Sequence, residues 1–230
     1  MNFLKLNYGC GFDKRAGYLN VDSDPLCEPD TLIKDGDLSE LPKLHFSELL
    51  AKDVLEHIPR AKTLDVLLDF SSLLKEKALL VVQTSSVLHI AEKLKENSSF
   101  ASQYGWTICL FGNQVHAGDY HYTGFTDTTL TVYLAAAGFE IVQKELVEDW
   151  CLRYECRKNF AWDNLLLDGN LDNAEFLNKA YQNSFNRDID ETGIIHFGGM
   201  LQKGVDRREV LKQIFTAPEH LYVTASILGV

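Results

Sequence analysis

The residues of this chain best suited to chemistry sit in short stretches of its first 125 positions. Gly9 and Gly11 stand in LNYGCG, directly after an apolar-leaning run, where any side chain would obstruct a ligand approaching the backbone. Asp22 closes the next run, GYLNVD, and a carboxylate at a strand end can accept both hydroxyl hydrogens of a ribose. Asp37 and Leu38 follow in DGDLSELP. A carboxylate beside a backbone amide can pair with an adenine edge, and an adjacent leucine can cover the ring face. Asp53, Glu56 and His57 come together in DVLEHIPR, and His116, Asp119 and His121 share the glycine-bearing polar stretch GNQVHAGDYHYTGF. Histidine titrates where it can take a proton from a hydroxyl group, and Asp119 is placed to orient one of the rings. Each feature also has a plain structural reading: a strand-turn at the glycines, a filler role for Cys10, an ordinary turn at Asp37, a helix cap at Glu56 and His57, and surface or packing roles for the loop histidines, Trp106, Tyr120 and Tyr122.

Several classes of site are excluded or disfavoured. A dinucleotide loop needs a third glycine where Lys14 stands, and FDKRAGYLNV is too short for a helix and a second strand. No GxxxxGK[ST] is present, so a P-loop is excluded. The net charge of -11 and the absence of any basic cluster larger than DKR or DRRE argue against nucleic acid as substrate or partner. The 5 cysteines (Cys10, Cys27, Cys109, Cys151 and Cys156) are scattered and form no CxxC, which fits reduced thiols rather than a disulfide framework or a metal site. No apolar run is long enough to span a bilayer and MNFLKLNYG lacks a signal-peptide pattern, so the expectation is a soluble, cytoplasmic protein without a transmembrane segment.

The elements that must position these residues follow from periodicity. FLKLNY and GYLNVD read as short strands ending in loops, and HFSELLAKDVLEHI holds another apolar segment. Leu64, Leu67, Leu68, Ser71 and Leu74 fall on one helical face after Pro59. ALLVVQT reads as a strand buried on both faces of a parallel sheet. A helix starting near Thr126 carries Leu130, Tyr133, Leu134 and Ala137, with Gly138 in place for a cap. FEIVQ and LVEDWCLRYEC read as closing strands. This alternation predicts a parallel α/β sheet with ligands beyond the carboxyl ends of its strands. After Trp162 the pattern turns helical. Asp172 and Glu175, and Asp206 and Glu209, have capping-box spacing, and the two stripes Phe176, Ala180, Tyr181, Phe185 and Val210, Leu211, Ile214, Phe215 predict two helices, the second ended by Pro218.

Taken in order, LNYGCG, GYLNVD, DGDLSELP, DVLEHIP and HYTGFTDTTLTVYLAAAGFEIV resemble the motifs of class I S-adenosylmethionine-dependent methyltransferases, over roughly Phe3 to Lys144, with the bacterial polysaccharide and lipopolysaccharide subgroup nearest. The resemblance implies a Rossmann-like class I methyltransferase sheet with helices on both faces. It places Gly9, Cys10 and Gly11 against the methionine and ribose parts of the donor, Asp22 on the ribose, Asp37 and Leu38 around adenine, and Asp53, Glu56 and His57 on the floor near the methionyl end and the acceptor. The family's usual acidic residue before the loop is Asn7 here, its amide oxygen available to the donor's amino group, and Asp13 replaces a glycine. The tail is similar to a small helical domain of unknown function found in bacterial surface and glycosyltransferase proteins, through Tyr181, Arg187, Asp190, Gly193, Leu201, Gly204 and Glu219, with His196 and Phe197 where that domain usually has Tyr-Trp.

The resulting expectation is a methyltransferase domain over residues 1–162 and a small all-α module over 168–230. S-adenosyl-L-methionine is the expected cofactor, a saccharide or other small-molecule acceptor is O-methylated with a histidine base, and the tail serves for protein contact or dimerisation. Two alternatives stand beside it: a catalytically decayed adaptor that binds a glycosyltransferase or glycan, and a nucleotide-sugar enzyme.

Overall fold

The computed structural model describes residues 4–230. Seven strands form one sheet: β1 (Lys5–Tyr8), β2 (Leu19–Asp22), β3 (Thr31–Leu32), β4 (Phe46–Lys52), β5 (Leu74–Ser85), β6 (Phe139–Val147) and β7 (Cys151–Lys158), in the order β3-β2-β1-β4-β5-β7-β6. The pairings from β3 across to β5 are all parallel, and the chain reverses direction between β3 and β4, which places a ligand crevice at the carboxyl ends of β1 and β4. The expected Rossmann-like class I methyltransferase sheet with helices on both faces, followed by an all-α module, is borne out in the class of fold.

The purely parallel sheet is not. β7 lies antiparallel between β5 and β6. The connection from β6 to β7 turns through Glu148 and Asp149 at φ 56° and 62°, the left-handed pair a tight hairpin needs, here built without glycine.

Helix α1 (Arg60–Leu73) buries Leu64, Leu67, Leu68 and Ser71, and Leu74 opens β5 instead of extending the helix. Helix α4 (Asp127–Ala136) is closed at its start by a capping box between Thr126 and Thr129. At its end Gly138 adopts φ 87°, and a Cβ there would lie 2.2 Å from the Phe160 carbonyl oxygen, so glycine is required by both conformation and space. Between β5 and α4 lie two helices beyond the expected elements, α2 (Val87–Glu96) and α3 (Phe100–Phe111). Helix α2 buries only Ile90 and α3 buries no residue.

The tail folds as α5 (Asn173–Phe185), α6 (Glu191–Gly193), a π turn at Ile194–Gly198, α7 (Gly199–Gln202), α8 (Arg207–Thr216) and α9 (Pro218–Leu228). The Asp172–Glu175 capping box forms as expected, whereas Asp206 caps α8 alone by accepting from Arg208. Pro218 both ends α8 and opens α9 at its first turn, where its missing N–H costs nothing. Five of the residues that carry the tail's resemblance, Tyr181, Arg187, Asp190, Gly193 and Glu219, form one network. Arg187 reaches Asp190 and Glu219 at 2.9 Å each, its guanidinium lies 5.1 Å from the centre of the Tyr181 ring, and a Cβ on Gly193 would stand 2.3 Å from the Tyr181 hydroxyl.

A single apolar cluster joins tail and sheet. Phe176, Ala180, Val210, Leu211 and Phe215 share it with Leu6, Leu49, Leu80 and Tyr154. His220 crosses the seam, its ring nitrogens 2.8 Å from the Ser184 carbonyl and 2.9 Å from that of Ala136, at the negative ends of α5 and α4. Among the described residues no helix is long and apolar enough to cross a membrane.

Candidate active site

The loop after β1 has no crossover helix; two buried asparagines hold it instead. Asn7 Nδ2 donates to the Asp13 carbonyl at 2.9 Å and to Asn20 Oδ1 at 3.0 Å. Asn20 in turn accepts from the Arg15 amide and donates to the Arg15 carbonyl and the Asp30 carboxylate. These bonds give a ten-residue loop a fixed path that a helix would otherwise impose. Asn7 is thus committed to the loop by both amide protons. Cys10 is buried beside it, and burial pushes its thiol up to about 11, the state of an inert packing cysteine.

Asp22 receives one backbone N–H on each oxygen: Gly11 donates to Oδ2 at 2.7 Å and Asp24 to Oδ1 at 2.9 Å. The carboxylate is therefore fixed in orientation, with lone pairs remaining on both oxygens. Gly9 adopts φ 63°, and a Cβ on it would lie 2.6 Å from Val54 Cγ2, so the first glycine is required by the packing of the β4 loop against it. Asp37 accepts from the Ser39 amide and hydroxyl, which holds its carboxyl below the ordinary range.

A cleft of about 490 Å³ opens at these strand ends, within the range of small-molecule sites. Gly9, Asp22, Asp37, Leu38 and His57 all line it, together with Tyr8, Val54 and the exposed face of α1. Four of the nine expected donor contacts thus meet at one cavity. Asn7, Cys10, Gly11, Asp53 and Glu56 lie outside its lining; Gly11 reaches it only by fixing Asp22.

Glu56 is 3% exposed, and its carboxylate accepts from Thr84 Oγ1 at 2.8 Å and from the Ser85 amide at 3.3 Å. Its backbone carbonyl accepts the Tyr122 and Thr123 amides at 2.7 and 3.1 Å. Glu56 therefore anchors the loop that carries the other histidines. Burial raises its carboxyl above the ordinary range. Asp53 sits at φ 54°, in a left-handed conformation that non-glycine residues seldom adopt, and burial raises its carboxyl as well.

The histidines converge. His57 and His121 meet edge to face with ring centres 4.6 Å apart. His57 Nδ1 lies 3.2 Å from the Tyr120 carbonyl and His121 Nδ1 lies 3.1 Å from the Cys109 carbonyl. A carbonyl only accepts, so Nδ1 carries the proton in each ring and Nε2 is left with its lone pair. Burial lowers both imidazoles below their ordinary value of 6.5. His116 pairs with Asp119 at 3.2 Å and is mostly exposed. Tyr120 and Tyr122 stack at 5.9 Å and remain 38% and 53% exposed beside His57.

Residues 164–222 match the model of a family described as Domain of unknown function (DUF4214), the expected tail domain. No curated protein matches the sequence. Among solved structures, 1,6-didemethyltoxoflavin-N1-methyltransferase of Burkholderia thailandensis, crystallised with 1,6-didemethyltoxoflavin and S-adenosylhomocysteine, is 18% identical, with a TM-score of 0.47 over 68% of this chain and 71% of that one. An S-adenosylmethionine-dependent methyltransferase of Archaeoglobus fulgidus is 15% identical, with a TM-score of 0.48 over 68% and 88%. One from Mesorhizobium loti is 16% identical, with a TM-score of 0.47 over 66% and 89%. Likeness at this level transfers no residue roles, because one fold hosts many chemistries.

Proposed function

We propose that this chain is an S-adenosylmethionine-dependent methyltransferase that O-methylates a saccharide or related cell-envelope precursor in the cytoplasm. The observation that carries this reading is Asp22. Its two oxygens are each held by one backbone N–H and face a cleft that also contains Gly9, Asp37 and Leu38. This constellation suits a nucleoside: a carboxylate for the ribose diol, a carboxylate and a leucine for the base. When bound, the donor supplies a methyl group already activated on a sulfonium. The protein's task is then to align the acceptor and exclude water.

His57 is the residue best suited to take the acceptor's proton. It lines the cleft, its Nδ1–H is engaged by Tyr120, and its Nε2 lone pair is available. His121 packs against it, and Asp119 with His116 flanks the same loop. Because burial holds His57 low, its neutral form persists below the ordinary imidazole value. The acid limb of the pH–rate profile is therefore expected below pH 6.5, and a limb centred above that value contradicts His57 as base. The same depression makes the unfolded chain bind protons more readily than the folded one. Stability is thus complete above the ordinary value and falls as pH drops through the lowered ones.

One observation favours the adaptor reading: Asn7, which stands where the resemblance expects an acidic donor contact, lies outside the lining of the cleft. Thermal-shift titration with S-adenosylhomocysteine and a panel of nucleotide sugars separates the alternatives, since only a ligand specific for the folded state raises the melting temperature. Stabilisation by S-adenosylhomocysteine alone supports the methyltransferase, by a nucleotide sugar alone the third reading, and by neither the adaptor.

A further inference from the structure

A second cavity, of about 900 Å³, opens between α1, α4 and α9. Helix α1 shows Lys62, Asp65, Val66 and Asp69 to the cleft and turns Arg60, Ala61 and Leu64 to this cavity, so the two open on different faces of one helix. Leu64, Val132, Leu221 and Ala225 give the cavity apolar walls. Arg60 is the one charged side chain in its described lining, and among the described residues no carboxylate pairs with it. Burial raises the Tyr133 hydroxyl above its ordinary value and the Arg60 charge opposes that rise, which sets the cation beside the polar end of this ring. The cavity is thus an apolar groove with one unpaired cation at its edge, of a size that suits a small molecule.

Cavity and cleft adjoin around the first turn of α1. His57, Ile58 and Pro59 line the cleft, and Arg60 and Ala61, next in sequence, line the cavity. A concavity of about 260 Å³ between them shares Lys62, Asp65 and Lys212 with the cleft and Ala61 and Thr216 with the cavity. Lys212 bridges Asp65 at 2.7 Å and Asp69 at 3.0 Å, which ties α8 to α1 and gives this passage a fixed wall. The order from cleft to cavity is therefore an imidazole, a cation and an apolar groove. The matching molecule carries a hydroxyl group, an anion and an apolar chain in the same order. Its anion must survive being linked on both sides. A carboxylate becomes neutral once esterified, whereas a phosphodiester keeps its negative charge, and a guanidinium pairs with phosphate oxygens through parallel N–H donors. The apolar chain gains by leaving water for the groove.

We propose that the cavity between α1, α4 and α9 holds the lipid chain of a phosphate-linked saccharide acceptor, with Arg60 on the phosphate and the sugar at His57. The inference rests on the methyltransferase reading of the cleft and deepens it, because it names the acceptor as lipid-linked. It also gives the tail a role that packing alone does not: Pro218, Leu221 and Ala225 of α9 form one wall of the groove, so the C-terminal module takes part in acceptor binding.

The test is calorimetric titration of the full chain, and of R60M and A225W variants, with farnesyl phosphate below its micelle-forming concentration, farnesol, laurate, glucose 1-phosphate and S-adenosylhomocysteine. The unsubstituted chain is expected to bind farnesyl phosphate at one site, about tenfold more tightly than farnesol or laurate, and to show no measurable binding of glucose 1-phosphate. R60M is expected to bind farnesyl phosphate and farnesol alike. A225W, whose indole occupies the groove, is expected to weaken both about tenfold and to leave S-adenosylhomocysteine unchanged. An unchanged preference in R60M overturns the inference, even if A225W proves too unstable to measure. So does unchanged farnesyl phosphate affinity in A225W, which puts the chain elsewhere, or laurate as tight as farnesyl phosphate, which removes the phosphate. A dimer that A225W dissociates, with no farnesyl phosphate binding, assigns the groove to a second copy and overturns it too. Binding of S-adenosylhomocysteine without farnesyl phosphate overturns this inference alone and leaves the donor reading standing. Failure to bind S-adenosylhomocysteine overturns the methyltransferase reading, and the acceptor role with it, whatever the cavity binds.

Discussion

A Gly112→Ala chain is expected to lose methyl transfer while binding S-adenosylhomocysteine within a few-fold of the unsubstituted protein. Gly112 ends α3 at φ 77°, and a Cβ there would fall 1.6 Å from the Asp119 carbonyl oxygen and 3.2 Å from the His121 nitrogen. The obstacle is backbone, so no rotamer change relieves it, and at φ 77° and ψ 168° the residue lies in a region essentially restricted to glycine, which costs any other residue about 1–3 kcal/mol. The 119–121 segment must move. That segment supplies the Tyr120 carbonyl to His57 and donates the His121 amide to the Phe111 carbonyl. A displacement of about 1 Å at reacting groups is enough to cost about 100-fold in rate. The donor residues Gly9, Asp22, Asp37 and Leu38 lie on other elements and are not strained by the change. Transfer from labelled S-adenosylmethionine into a saccharide-containing cell extract, measured beside calorimetric affinity, checks both halves. Equal losses in transfer and donor affinity would show that the loop serves the fold rather than the acceptor.

An Asp22→Ala substitution is expected to weaken S-adenosylhomocysteine by about 1–3 kcal/mol, the range for removing hydrogen bonds and leaving polar partners unmatched. Asp22 does two things at once. It presents acceptors to the cleft, and it ties the Gly11 and Asp24 amides into one loop geometry. Asp22→Asn separates them. Its amide oxygen can still hold one of the two amides, but its NH₂ cannot accept from the second ribose hydroxyl. An intermediate loss for Asn, with the melting temperature of the ligand-free protein closer to that of the unsubstituted chain than Ala's, is the expected pattern. Affinity unchanged in both variants would remove Asp22 from the donor site.

How much of this was legible in the sequence depends on where each signal lives. Strand ends, glycines and the Thr126 and Asp172 caps are local, written in adjacent residues, and the structure has them where the sequence placed them. The hairpin between β6 and β7 was not readable as such, because Glu148 and Asp149 adopt the turn that Asn-Gly would have announced. Helix α3 escaped because periodicity reports burial, whereas the Val87, Ile90, Ala91 and Leu94 stripe of α2 was there to be read. A helix such as FASQYGWTICLF, with no buried residue, has no stripe to read. The loop-holding bonds of Asn7 were not readable, because its partners, the Asp13 carbonyl and Asn20, are assembled only by the folded loop. The Lys212 bridge joins positions more than 140 residues apart and left no sequence trace.

The central claim is that the cleft at the ends of β1, β2 and β4 holds an adenosyl donor. Calorimetric titration of the full chain with S-adenosylhomocysteine tests it most directly. The account predicts saturable one-to-one binding that Asp22→Ala weakens. No binding at millimolar ligand by a folded chain would contradict it.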